Sequence, residues 1–386
     1  MSPRTPLYLD HHATTPLDER VLDAMLPYLR EDFGNAASRS HVFGWRAEAA
    51  VEQARESIAA ALGAEPREIV FTSGATESNN LALLGGARRR RSSGRDAVVT
   101  LTTEHPAVLD PIAALEREGT TARRVNVEPD GRVDLDRLAA AIDERTAVVS
   151  VMAANNEIGV LQPLAEIGAL AREAGAWFHT DAAQAAGRVS LRVDRDPIDL
   201  LSLSGHKLYG PKGVGALYVR ARRPRVVLEP LVYGGGHERG MRSGTLPVAS
   251  IVGLATALEL ALSEREAENE RLAALRDRLW SRLSGELEAV RCNGSLEQRL
   301  AGNLNVSFEG VEIDKLLLAL PELAVSTGSA CSSARPEPSH VLLALGLPEP
   351  LARASLRFGL GRSTTAEQIE RAAGQVIEAV CAQRGR

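Results

Sequence analysis

Short apolar segments alternate with helix-patterned ones from residue 69 to residue 219, and this rhythm constrains the fold more than any other feature of the chain. Strands are expected at 69–72, 97–102, 122–127, 147–152, 176–180, 198–203 and 214–219. Helical spacing fills 81–87, 107–117, 135–141 and 164–173 between them. Alternation of this kind implies an α/β fold, with a mostly parallel sheet covered by helices on both faces. Such sheets bind ligands at the carboxyl ends of their strands. His105, Asn156, Asp181, Gln184 and Lys207 fall at that kind of position, from five separate segments. One polar residue after a strand means little, whereas five suggest a single site.

Lys207 stands out among them. The chain has 45 basic residues, and only Lys207, Lys212 and Lys315 are lysines. An arginine does not give up its proton, but a desolvated lysine beside another cation does, and it then becomes an amine nucleophile. Lys207 follows an apolar strand directly, within Ser204-Gly205-His206-Lys207. Upstream, the strand at 69–72 runs into Ser73-Gly74-Ala75-Thr76-Glu77 and then a helix. That arrangement aims backbone N–H groups at an anion such as phosphate, although the same residues also read as a capping box. An amine, a phosphate cradle, a carboxylate and a stacking imidazole together are what pyridoxal phosphate (PLP) needs. Asp181 is the candidate carboxylate for the ring nitrogen, and the alternative is a helix cap. His105 is the candidate stacking group, and the alternative is a turn histidine.

The flanks suggest further organisation. Helices are expected at 18–29 and 41–62, the second closed by Gly63. A glycine-rich basic loop, 233–245, carries Arg239, Arg242 and Thr245 and suits an anion. A charged helical stretch from Val248 to Leu287, broken near Ser263, leads to a second domain. In that domain strands are expected at 304–308 and 355–358 and helices at 313–320 and 366–382. At 386 residues, two domains are expected. The net charge of -5 argues against direct nucleic-acid binding. No signal peptide or membrane span is expected, and three widely spaced cysteines imply a reducing, cytoplasmic setting with no metal site. His11-His12 invites a metal, but no third ligand lies near in sequence. Cys331, among small residues, is expected to be exposed and reactive, Cys292 to be exposed, and Cys381 to be a core residue.

Seven motifs in order carry a family resemblance. They are Tyr-Leu-Asp-x-x-Ala-Thr-Thr-Pro from Tyr8, Ser-Gly-Ala-Thr-Glu-Ser from Ser73, Thr-Glu-His from Thr103 and Asn-Asn-Glu-Ile-Gly from Asn155. Ser-Gly-His-Lys-x-Tyr-Gly-Pro-Lys-Gly from Ser204, Gly-Gly-Gly-His-Glu-Arg-Gly-x-Arg-Ser-Gly-Thr from Gly234 and Gly-Ser-Ala-Cys from Gly328 complete the set. Nearly the whole chain resembles the NifS/IscS-like cysteine desulfurases of the class-V aminotransferase family. It departs from the usual pattern at Ala36 and Thr327.

That resemblance implies the fold-type-I architecture of PLP-dependent transferases. A large domain, 17–260, would hold a mostly parallel seven-stranded sheet, and 1–16 with 261–386 would form a smaller α+β domain. The smaller domain would carry the catalytic cysteine loop at about 325–338. By the same resemblance Lys207 bonds PLP, Asp181 pairs with the pyridinium and His105 stacks as acid and base. Gln184 reaches the phenolate, while the Ala75 backbone, Thr76, Ser204 and His206 hold the phosphate. Thr245 reaches the phosphate of the other subunit of a homodimer. Asn35, Asn156 and Arg357 hold the carboxylate of L-cysteine, and Cys331 accepts the sulfur as a persulfide. The implied products are L-alanine and sulfur for acceptor proteins, such as an iron–sulfur scaffold or a tRNA- or cofactor-thiolation partner. Housekeeping members carry a longer tail past the last helix, which helps dock the scaffold.

Overall fold

The alternating apolar segments form one seven-stranded sheet whose inner strands are buried on both faces, as strands between two helical layers must be, while the edge strand Thr121–Val125 is partly exposed. The computed structural model describes residues 6–327 and 337–385. The strand order is Ile69–Thr72, Gly215–Val219, Leu200–Ser204, Trp177–Asp181, Thr146–Ser150, Ala97–Leu101, Thr121–Val125. Only Gly215–Val219 runs against its neighbours. Gly215 is required there: a Cβ on it would come within 2.6 Å of the Gly74 Cα. Strand ends differ from the sequence expectation by one or two residues, where terminal pairing frays.

Two helical expectations change. The helix expected at 81–87 starts earlier, at Ala75, directly after Gly74. It continues through a widened turn at Leu81–Gly85 into Gly86–Arg91. The long helix Val248–Glu286 is unbroken over 39 residues. Ser263 does not break it, because its hydroxyl bonds back to the Leu260 carbonyl and leaves the backbone ladder intact. Val42–Leu62 is capped by His41, whose Nδ1 accepts from Gly44 N–H, and closed by Gly63 at φ 71°.

The long helix joins two apolar clusters. Ile251, Leu254 and Leu258 pack with the residues around the large sheet. Leu272, Leu275, Leu279 and Leu283 pack with a three-stranded antiparallel sheet and helix Ala366–Gln383. That sheet has Asn303–Phe308 at its centre, between Val290–Cys292 and Ser355–Gly359. Leu7 and Leu9 join this second cluster, and Leu7–Tyr8 pairs in parallel with Leu323–Ala324. Cys292, expected to be exposed, is half-buried against the same cluster, because the adjacent strand pairing draws it inward. Cys381 is half-buried there too. Among the described residues no helix is long and apolar enough to cross a membrane.

Candidate active site

The carboxyl edge of the large sheet opens into a cavity of about 510 Å³. Ala75, Thr76, His105, Asn156, Asp181, Gln184, Ser204, His206, Lys207 and Arg357 all line it. Thr245 and Asn35 do not, and Cys331 lies outside the described residues. Lys212, not among the expected site residues, is exposed but lines the same cavity. Lys315 sits away from it, paired with Glu312 on the surface.

The turn holding Lys207 is braced by the N-terminal loop. Lys207 Nζ donates to the carbonyls of His12 at 2.6 Å and Ala13 at 2.7 Å. Thr15 bonds the His206 carbonyl through its N–H and its hydroxyl. The same hydroxyl accepts from Tyr209 N–H, which fixes Tyr209 at φ 61°, an unusual value for a tyrosine. This explains physically why the Tyr8–Pro16 stretch belongs with a lysine some two hundred residues away; no periodicity in the sequence shows it.

Asp181 ends its strand 7 % exposed. Oδ2 accepts from Asn79 Nδ2 at 2.6 Å and Oδ1 from Ala183 N–H at 2.9 Å. One oxygen therefore makes a cap-like turn while the carboxylate still faces the cavity. Both of these donors are neutral amides. Asn79 was missed by sequence reasoning; the available signal was a polar residue on the inner face of a helix.

His105 caps helix Pro106–Arg117, and its Nδ1 accepts from Ala107 N–H. In the neutral ring the proton therefore sits on Nε2. Burial lowers its pKa, a neighbouring Asp181 opposes that, and Lys207 adds to it. Burial, reinforced by Lys207 and Lys212, lowers His206 to about 4, so it is neutral near pH 7. Glu104, also missed, is fully buried and accepts from Met152 N–H. Burial and then the Asp181 charge push its carboxyl well above the usual range.

Gln184 is oriented by the layer behind the cavity. Its Oε1 accepts from Arg188 Nη1 at 2.9 Å and lies 3.0 Å from His12 Nδ1, and its Nε2 donates to the His12 carbonyl. His11 and His12 both use ring nitrogens within the protein. Among the described residues no group of His, Cys, Asp or Glu converges as a metal site.

Arg357 forms another wall. Its side chain is 3 % exposed; Nη1 donates to the Asn156 carbonyl and Nη2 to Asp10 Oδ1, both at 2.8 Å. Arg357 Nε and Asn156 Oδ1 are buried and have no partner among the described residues. The Arg357 guanidinium, with one N–H donor uncommitted, suits a ligand carboxylate, whereas the Asn156 oxygen is an acceptor and would need a donor from the ligand.

The glycine-rich loop differs from expectation. Arg242 Nε pairs with Glu77 at 2.8 Å, and Arg239 donates to the Ile69 carbonyl. The charge of Arg242 is therefore offset within the chain, whereas Arg239 is bonded there to a neutral carbonyl. Asn35 lines a second hollow of about 450 Å³ with Gly235, Gly236, His237, Arg239 and Leu246. Exposed Phe33 and Phe43 stack beside that segment, and Trp45 is 55 % exposed.

Residues 7–372 match the family described as aminotransferase class-V. The chain is 56% identical over 377 residues to "Cysteine desulfurase IscS" of Anaeromyxobacter sp. (strain Fw109-5), covering 98% of this chain and 93% of that one. A solved NifS-like protein superposes with a TM-score of 0.90 at 36% identity, covering 98% of this chain and all of the other. A structure described as SspA in complex with cysteine matches with a TM-score of 0.80 at 39% identity, over 92% of this chain and 98% of that one.

Proposed function

The chain belongs to the class-V aminotransferase family, and from that premise we propose how its cavity works as that of a cysteine desulfurase. The observation carrying this reading is one cavity that joins Lys207, Asp181 and His105 to Arg357 and Asn156. The residues fit PLP. Lys207 would bond it and Asp181, whose two amide donors leave its charge unoffset, would hold the ring nitrogen protonated. Thr76, Ser204, His206 and the Ala75 N–H would hold the phosphate, Gln184 the phenolate and His105 the ring face. Bound there, the cofactor supplies an electron sink for the electrons of the substrate Cα–H bond.

The protein's own groups do the rest. Arg357 and Asn156 hold the cysteine carboxylate and so orient its Cα towards Lys207. Lys207 Nζ takes the Cα proton, and His105 Nε2 moves a proton at the substrate sulfur. Cys331, as thiolate, takes the sulfur; alanine leaves and Cys331 becomes a persulfide. The persulfide sulfur passes to an acceptor protein, for iron–sulfur assembly or for tRNA or cofactor thiolation. Thr245 and Asn35, outside the cavity of their own chain, complete the cavity of a second copy in a cytoplasmic homodimer. The exposed Phe33, Phe43 and Trp45 support that pairing, because an apolar surface of this kind marks an interface.

The test is single-turnover mass spectrometry with L-cysteine. The wild-type protein should release L-alanine and gain one sulfur on the Cys331 peptide. Cys331→Ser should make at least about a hundredfold less alanine, since a hydroxyl is a far weaker nucleophile than a thiolate. Sulfur appearing equally on Cys292, or undiminished alanine from Cys331→Ser, would refute the role of Cys331.

A further inference from the structure

Asp10 contributes nothing to the cavity surface, yet it bonds the side chain that the cavity would use to hold a carboxylate. Its Oδ1 accepts from Arg357 Nη2 at 2.8 Å and its Oδ2 from Ser326 Oγ at 2.7 Å. Its carbonyl accepts from Tyr8 Oη, and its backbone bridges Gly359 on the Arg357 strand. With the Asn156 carbonyl on Nη1, the guanidinium is held at two of its corners. A planar fork held at two corners has a fixed plane, so the position of Nε–H is fixed too. Two residues after Asp10, the carbonyls of His12 and Ala13 hold Lys207 Nζ. One short loop therefore grips both the amine and the arginine of the site.

We propose that Asp10 is the positioning residue of Arg357, and that the Asp10–Ala13 loop sets the spacing between the amine that takes the Cα proton and the group that holds the substrate carboxylate. The proposal rests on the cysteine desulfurase reading. It makes Asp10 a determinant of selectivity for α-amino carboxylates over simple amines. A purely structural ion pair would instead weaken every ligand equally.

The experiment measures binding to the PLP-loaded protein by the absorbance of the bound cofactor, with L-alanine and ethylamine as probes, alongside turnover of L-cysteine. Asp10→Ala should weaken L-alanine, and raise KM for cysteine, by about tenfold or more, with kcat within about threefold, the pattern of lost uniform binding. Ethylamine, which has no carboxylate, should bind the variant and the wild type alike. Asp10→Asn keeps an oxygen for Nη2 and should restore most of the L-alanine affinity. Asp10→Glu keeps the charge but displaces it by one methylene, and should lose about as much as Asp10→Ala if position decides. It also serves should Asp10→Ala not fold. Equal weakening of ethylamine and L-alanine, or wild-type L-alanine affinity in both Asp10→Ala and Asp10→Glu, would overturn the proposal. A wild-type protein that releases no alanine from cysteine would sink the functional reading instead, and the ratio of the two probes would still decide Asp10.

Discussion

Two glycine-rich stretches carry basic side chains in this chain, and they meet opposite fates. Ser204–Gly215 follows a central strand, and its lysines line the cavity together with residues from other strand ends. Gly234–Thr245 follows no strand of the large sheet, and its arginines are spent on Glu77 and the Ile69 carbonyl. The sequences look alike in glycine and charge. What separates them is where the fold puts the side chains: Lys207, although its Nζ donates to two carbonyls, lines the cavity with Lys212, whereas Arg239 and Arg242 do not. A cation paired with a carboxylate, as Arg242 is with Glu77, offers less to a ligand, because its charge is offset and its geometry committed. The first stretch lines a cavity within one chain, and the second does not line that cavity.

The largest expected effect tests the first stretch. Lys207→Ala should lower cysteine turnover by about a thousandfold or more, since in the proposed mechanism it removes both the nucleophile and the base. Borohydride reduction followed by peptide mass spectrometry should find the pyridoxyl label on Lys207 in the wild type. Labelling of Lys212, which lines the same cavity, would move the chemistry a few residues along the turn.

The next test concerns the second stretch. Co-expressing Lys207→Ala with a Thr245→Ala variant weakened in PLP binding should produce heterodimers with one intact site. Their activity should reach roughly half that of the wild-type dimer, as a shared two-fold site requires. Activity no higher than in the two parents would mean that Thr245 serves its own chain.

The smallest effects contrast charges at the two places. Glu157, next to the Asn156 wall, is fully enclosed and accepts from Ser339 Oγ, and burial pushes its carboxyl up to about 7. A carboxyl raised on folding lends stability that is complete below its unfolded value of 4.5 and is lost as pH rises through 7. Relative to Glu157→Gln, the wild type should therefore lose about 3 kcal/mol across that window in denaturant titrations. Arg242→Gln breaks a partly exposed pair and should cost no more than about 1 kcal/mol, without dependence on pH in that window. A pH-independent difference for Glu157→Gln would mean that its carboxylate is solvated in the folded protein.

The carboxyl-edge residues were legible because strand ends in an alternating chain are shared landmarks. His105, Asn156, Asp181, Gln184 and Lys207 could be placed together before any coordinates existed. Asp10, Asn79, Glu104 and Arg188 were not legible as supports of that site. Three act by meeting a residue far away in the chain, Asp10 with Arg357, Asn79 with Asp181 and Glu104 with Met152, while Arg188 meets Gln184 only four residues away but also bonds the Lys207 carbonyl across the fold. Nothing local marks such pairs, since the same residue types also serve as caps and surface charges. Ser263 was misread for the reverse reason: a local signal for breaking a helix was overruled by apolar packing on both halves of that helix.

By itself, the sequence determined the layered α/β architecture, the edge of the sheet where chemistry gathers and the lysine at its centre. The architecture and the edge follow from periodicity, and the lysine from its rarity and its place directly after a strand, all of them local properties of the chain. Only the tertiary structure decided which charges are spent and which remain for a ligand. It paired Arg242 with Glu77, left Arg357 Nε and Asn156 Oδ1 without a partner among the described residues, and brought the N-terminal loop across to hold Lys207. Partner choice depends on the distance and burial of groups hundreds of residues apart, and these exist only once the chain has closed on itself.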